Sequence, residues 1–135
     1  MSGYSGTPLW KKLGYKPGTV ALVVNPPASL NAQLALPADV KVTRVKILTP
    51  QVNLIHHFST SKADLQKAFA TYRARMESSG ALWISWPKKT SGIATDLTEN
   101  VLRELALPLG FVDVKVCAVD ETWSGLKFVV RKTER

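Results

Sequence analysis

The stretch from Gly80 to Lys89 constrains the fold more than any other part of the chain. Ala81 to Trp86 are apolar at every position except Ser85, without the alternation that marks a sheet with one wet face. That pattern predicts a short strand covered on both sides, as in the centre of a parallel sheet flanked by helices. Pro87 then ends the strand, because proline has no N–H to give to the ladder. In open α/β sheets ligands lie beyond the carboxyl ends of such strands, so Trp86 to Ser91 is the first place to look for a site.

The flanking segments fit that centre. Thr7-Pro8 reads as a cap and first turn, Leu9 to Leu13 as a short helix and Gly14 as its stop, with residues 1–6 a frayed end. Thr19 to Val24 is a second buried strand, ended by Asn25-Pro26-Pro27, and Ala28 to Ala35 is a short helix or irregular turn. From Val40 to Lys46 valines alternate with basic residues, the pattern of a half-exposed edge strand whose lysines discourage further pairing. Val52 to Phe58 is a third buried strand carrying His56 and His57. Ser61 and Asp64 form a capping pair for a helix whose Leu65, Ala68, Phe69, Tyr72 and Met76 recur every three or four residues. Asp96 with Glu99 starts a second such helix, closed by Pro108 and Gly110. Phe111 to Val119 and Leu126 to Val130 are strands joined by a link too short for a parallel crossover, so they form an antiparallel hairpin. The expected fold is α/β, a three-layer, Rossmann-like, mainly parallel sheet ending in an antiparallel C-terminal hairpin.

At 135 residues the chain has room for one domain, residues 1–135. No apolar run reaches the ~20 residues that span a bilayer, and the N-terminus has no apolar core of a signal peptide, which points to a cytoplasmic protein with no membrane partner. The single Cys117 lies in an apolar run and reads as a small buried hydrophobe. A net charge of +8 favours polyanions such as nucleic acid as encounter partners, but the basic residues are spread out and form no long run.

From Val20 onward the order of elements resembles the class I S-adenosylmethionine-dependent methyltransferases. Ser79-Gly80-Ala81-Leu82-Trp83-Ile84 stands where those enzymes carry a glycine turn and an apolar strand, and Leu13 to Val20 is similar to the lead-in to their first strand. Nearly the full length also resembles a bacterial family of small proteins defined as a domain of unknown function, through Ala81 to Lys89 and Val112 to Phe128. The methyltransferase resemblance implies a glycine-rich loop after the first strand and an acidic residue ending the second, where the cofactor's ribose is held. Here Asn25-Pro26-Pro27-Ala28 follows the first strand and no acid occurs from Val40 to Ile47. Asn25-Pro26-Pro27 is similar to the Asn-Pro-Pro of amino-methyltransferases, but theirs follows the fourth strand and continues into an aromatic residue.

The carboxyl rim of the expected sheet gathers Asn25, His56, His57, Ser59, Trp86, Lys88, Lys89, Thr90, Ser91, Asp120, Glu121 and Trp123 as ligand-binding candidates. Neighbouring histidines on a strand face opposite ways, so His56 and His57 cannot serve one ligand together; each is either a general base or anchor, or a packed core residue. Lys88 to Gly92 either binds phosphate through ammonium, hydroxyl and N–H groups or is a solvated loop. Asp120 and Glu121 are either a working acidic pair or ordinary hairpin-turn residues. Trp86 and Trp123 either stack on a planar ligand or fill core, and Trp83 belongs to the core. No Cys/His spacing suggests a metal and no nucleophile triad can be placed. The reading is a non-catalytic domain binding a small molecule or protein partner, with no cofactor required. Its alternatives are a methyltransferase using S-adenosylmethionine through an aberrant loop, and a nucleic-acid-binding protein.

Overall fold

The computed structural model describes residues 6–135, and a six-stranded sheet organises it. The strands are β1 (Val20–Val24), β2 (Thr43–Val45), β3 (Leu54–Phe58), β4 (Ala81–Pro87), β5 (Phe111–Ala118) and β6 (Trp123–Val130), in the spatial order β2-β1-β3-β4-β6-β5. The first four are parallel, while β6 is antiparallel to β4 and β5 to β6. This is the mainly parallel sheet with a C-terminal antiparallel hairpin expected from the order of elements. Residues 1–5 of the expected frayed end lie outside the described residues.

The apolar strands are sandwiched, as their lack of alternation implied. On one face α3 (Lys62–Arg75) and α4 (Glu99–Ala106) press Leu65, Phe69, Tyr72, Leu102 and Ala106 onto Leu22, Ile55, Leu82, Ile84, Leu126 and Phe128. Each fully buried side chain of this kind contributes about 1.5–3 kcal/mol. On the other face α1 (Leu9–Lys12) and α2 (Leu30–Leu34) cover Ala21, Leu54, Phe58, Trp83 and Cys117. Trp83 is fully buried and gives its indole N–H to the carbonyl of Leu13 at 2.8 Å, which ties the central strand to the end of α1. Cys117 is buried and unpaired by disulfide, the small hydrophobe its surroundings suggested.

The hairpin folds inward, so that β6 rather than β5 pairs with β4. The side chains account for the choice. β6 buries Leu126, Phe128 and Val130, and at Gly125 an added Cβ would meet the Trp83 ring and the Cys117 carbonyl at 3.3 Å. β5 instead exposes Val114, Lys115 and Val116 and is bulged between Asp113 and Lys115, features suited to an edge.

Several boundaries differ from expectation. Pro8 occupies the N-cap of α1 rather than its first turn. Only Thr43–Val45 of the alternating 40–46 stretch pairs, because just those residues lie alongside β1. Strand β6 begins already at Trp123, which shortens the turn. Asp96 does not start α4. Thr98 caps it by accepting from the Val101 N–H, while the Asp96 carboxylate accepts from the Lys62 N–H at 2.8 Å and so caps α3 from a distance. The expected Ser61 cap of α3 is present, its hydroxyl accepting from the Asp64 N–H.

The passage from β2 to β3 is made by residues 46–53, with no helix. Leu48 and Val52 of this passage pack on the α3/α4 side, beside the helices that cover Leu22.

Candidate functional site

The two histidines of β3 point to opposite faces and meet different fates. On the α3 side His57 is held by two partners: its Nδ1 lies 2.6 Å from the Tyr72 hydroxyl and its Nε2 lies 2.9 Å from Asp64 Oδ2. A carboxylate can only accept, so Nε2 carries the hydrogen and Nδ1 accepts from Tyr72. Ser59 gives its hydroxyl to the same Asp64 oxygen at 2.8 Å. Burial holds the His57 pKa below its ordinary value, against the hydrogen bond and charge of Asp64, so the ring is neutral. Burial, reinforced by the Asp64 charge, pushes the Tyr72 phenol up, so it stays a donor. The chain of hydrogen bonds bolts α3 to β3 and leaves no lone pair of His57 for a substrate.

His56 lies on the α1/α2 side, completely buried and stacked on Phe58 with ring centroids 4.2 Å apart. Its Nε2 is 2.7 Å from the Ser85 hydroxyl, and its Nδ1 has no partner among the described residues. Burial, with smaller contributions from the charges of Arg44 and His57, lowers its pKa to about 3. It is a neutral core residue.

The rim at β4 and β6 is likewise closed on itself. Asp120 Oδ1 accepts from the N–H groups of Thr122 and Trp123, and Oδ2 accepts from the Gln33 amide at 2.9 Å. Lys88 gives its ammonium to the Asp120 carbonyl at 2.6 Å. Ser91 gives its hydroxyl to the Lys88 carbonyl and accepts from the Ile93 N–H. Trp123 sits edge-on to Phe58 at 5.3 Å, and Trp86 is buried except for the edge that lines a cleft of about 410 Å³ with Lys89, Thr95 and Leu97. Lys89, Thr90 and Glu121 are exposed. The rim residues share one edge of the sheet, but they divide between its two faces and do not converge on one centre.

Asn25 stands apart, at the end of β1. It takes the left-handed conformation with φ 54°, which asparagine tolerates and which lets the chain turn there without glycine. Pro26 and Pro27 follow, without N–H groups, and α2 is a turn of five residues with no side-chain cap. Asn25 lines an open groove of about 630 Å³ over the carboxyl ends of β1 and β2, together with Val24, Asn31, Arg44, Val45 and Lys46. Arg44 gives its guanidinium to Asn31 Oδ1 at 3.0 Å. Sequence reasoning did not select Asn31, Arg44 or Lys46, although basic residues in place of the acid that the resemblance implied at the end of this strand were a signal. Among the described residues no cluster of His, Cys, Asp and Glu could hold a metal, and no helix is long and apolar enough to cross a membrane.

Parallel strands whose ligand edge lies at the reversal between β1 and β3 define a Rossmann-like α/β protein. Within that class, the inserted antiparallel β6 is the arrangement of the S-adenosylmethionine-dependent methyltransferase fold, and comparison with solved structures agrees. The chain is similar to such a methyltransferase from Aquifex aeolicus, with 13% identity and a TM-score of 0.64 over 89% of this chain and 86% of that one. A methyltransferase from Pyrococcus furiosus matches with 14% identity and a TM-score of 0.58 over 90% and 79%. The fibrillarin pre-rRNA processing protein of Methanococcus jannaschii matches with 9% identity and a TM-score of 0.54 over 93% and 69%. Identities this low establish the fold alone. No family model matches the sequence, and no curated protein is similar to it.

Proposed function

We propose that residues 1–135 form a single binding domain on the methyltransferase fold, which holds a small ligand at the carboxyl rim and transfers no methyl group. The observation that carries this reading is the exit of β1. Asn25 makes the turn, but Pro26 and Pro27 remove the N–H groups that a cofactor loop presents, and Arg44 and Lys46 stand where the resemblance implied an acid for the ribose hydroxyls. The internal pairing of His57, Asp64, Asp120 and Lys88 supports it further, since these polar groups already have partners.

The test is a titration with S-adenosylmethionine, following backbone amide and tryptophan indole NMR signals. The expected result is an unmoved spectrum at millimolar cofactor. Saturable shifts clustered at Val24 to Ala28, Trp86 to Ser91 and Trp123 would overturn the reading. They would favour the second one, an S-adenosylmethionine-dependent methyltransferase, which draws its support from the fold shared with the Aquifex aeolicus enzyme.

A further inference from the structure

We propose that the groove over the carboxyl ends of β1 and β2 binds a small amphipathic anion, a molecule with an apolar body and a terminal carboxylate or phosphate. The inference rests on the binding role proposed for this rim and names the chemical class of its ligand. Three features lead to it.

The first is incomplete cover. Helices α3 and α4 bury the apolar side chains of β3 and β4 and Leu22 of β1, but no helix joins β2 to β3, and the link 46–53 adds only Leu48 and Val52 on that side. Val24 and Val45 on that face, and Val23 on the opposite face that Arg44 shares with α2, are only partly buried, so an apolar floor wraps the carboxyl end of β1 within reach of solvent.

The second is charge of one sign. Arg44 and Lys46 line the groove beside the amides of Asn25 and Asn31, no carboxylate lines it, and among the described residues no acid forms a salt bridge with either cation. An apolar floor bordered by unneutralised cations attracts an anion with an apolar body and disfavours a cationic sulfonium ligand.

The third is preorganisation. Asn31 holds one N–H group of Arg44 at 3.0 Å, which orients the guanidinium while its other donors stay available for a bidentate grip on a planar or tetrahedral anion. Pro26 and Pro27 supply no N–H group at the β1 exit, and α2 is only five residues long. Recognition of the anion falls to Arg44, with Lys46 as a second, more mobile charge.

The experiment is an NMR titration of the whole chain with naphthoate and with naphthyl phosphate, using naphthol as the neutral analogue and inorganic phosphate as the anion without a body. The expected result is saturable shifts of the Val24, Asn25, Arg44, Val45 and Lys46 amides with one or both anions. Naphthol and inorganic phosphate should bind about tenfold more weakly or less, the value of one charge-assisted contact. Preference between the two anions identifies the terminal group. Arg44→Gln should weaken binding by about tenfold or more and Lys46→Gln by about threefold, without altering the denaturation midpoint. Lys115→Gln, on the distant edge strand, should leave affinity unchanged. The proposal is overturned if no saturable shift occurs at millimolar probe, if the shifts centre outside the groove, if naphthol binds as tightly as the anions, or if Arg44→Gln has no effect. A saturable response to S-adenosylmethionine would instead strike at the non-methylating role, so the two readings fail separately.

Discussion

The two ends of the parallel sheet are built from similar strands and have opposite characters. At β3 and β4, helices cover the α3/α4 face, His57, Phe58, Ser85 and Trp86 are buried, and the polar rim groups satisfy one another. At β1 and β2 a bare passage of chain replaces a helix, the last side chains are half-exposed, and two cations face solvent without acids. The difference shows that chemical variety along a rim is a poor guide to a site. The richest cluster of histidine, aspartate, serine and tyrosine locks α3 onto the sheet, while a plainer stretch leaves Arg44 and Lys46 without an acid partner among the described residues.

The widest separation between the ends should appear on truncation of side chains. Trp83→Ala at the covered end removes a fully buried ring and orphans the Leu13 carbonyl, and should cost about 3–5 kcal/mol in denaturant unfolding. Val45→Ala at the thin end should cost below about 1 kcal/mol, and equal losses would erase the contrast.

Acid should act next, and through the covered end. His56, with a pKa of about 3 against an ordinary 6.5, is kept neutral by the fold, and His57 is shifted the same way. The unfolded chain takes up protons that the folded chain refuses, so stability is full above about pH 6.5 and falls with pH below it. For His56 alone the loss approaches about 1.4 kcal/mol per pH unit until its folded pKa is reached. Denaturation midpoints at neutral pH and near pH 5 measure this, and a flat profile would show that the histidines charge within the fold.

Tyr72→Phe should cost about 1–2 kcal/mol, because it strands the buried His57 Nδ1 without a donor. It should leave naphthoate binding in the β1/β2 groove untouched, and a coupled loss would mean that the two ends are linked. Asn25→Gly should be the mildest change, within a few tenths of a kcal/mol, because glycine adopts the left-handed turn at no steric cost. A valine at the same position should be visibly destabilising in the same denaturation series.

Much of the architecture was readable because burial on both faces leaves a mark on every residue of a strand, as in Ala81 to Trp86 and Leu54 to Phe58. The pairing of β6 with β4 was not readable, since a short turn dictates an antiparallel hairpin without saying which of its strands lies inside. Asp96 was misassigned because Asp-x-x-Glu satisfies a local capping pattern, while its actual partner, the Lys62 N–H, is distant in sequence. In the structure the rim residues lie along one edge of the sheet, divided between its two faces. What sequence could not convey is which of them already have partners: Asp120 spends both carboxylate oxygens on its own turn and on Gln33, and nothing in the string of letters around it says so.

The inward-folded hairpin also governs the order in which the molecule can be assembled during synthesis. β5 is made before β6, yet among the described residues β6 is the only strand that joins it to the rest of the sheet. As the chain leaves the ribosome, β1 to β4 can associate while β5 waits, its Phe111 already exposed and its eventual neighbour not yet translated. The ladder on β4 therefore waits until β6 is made, while β5 and β6 can pair with each other as a local hairpin.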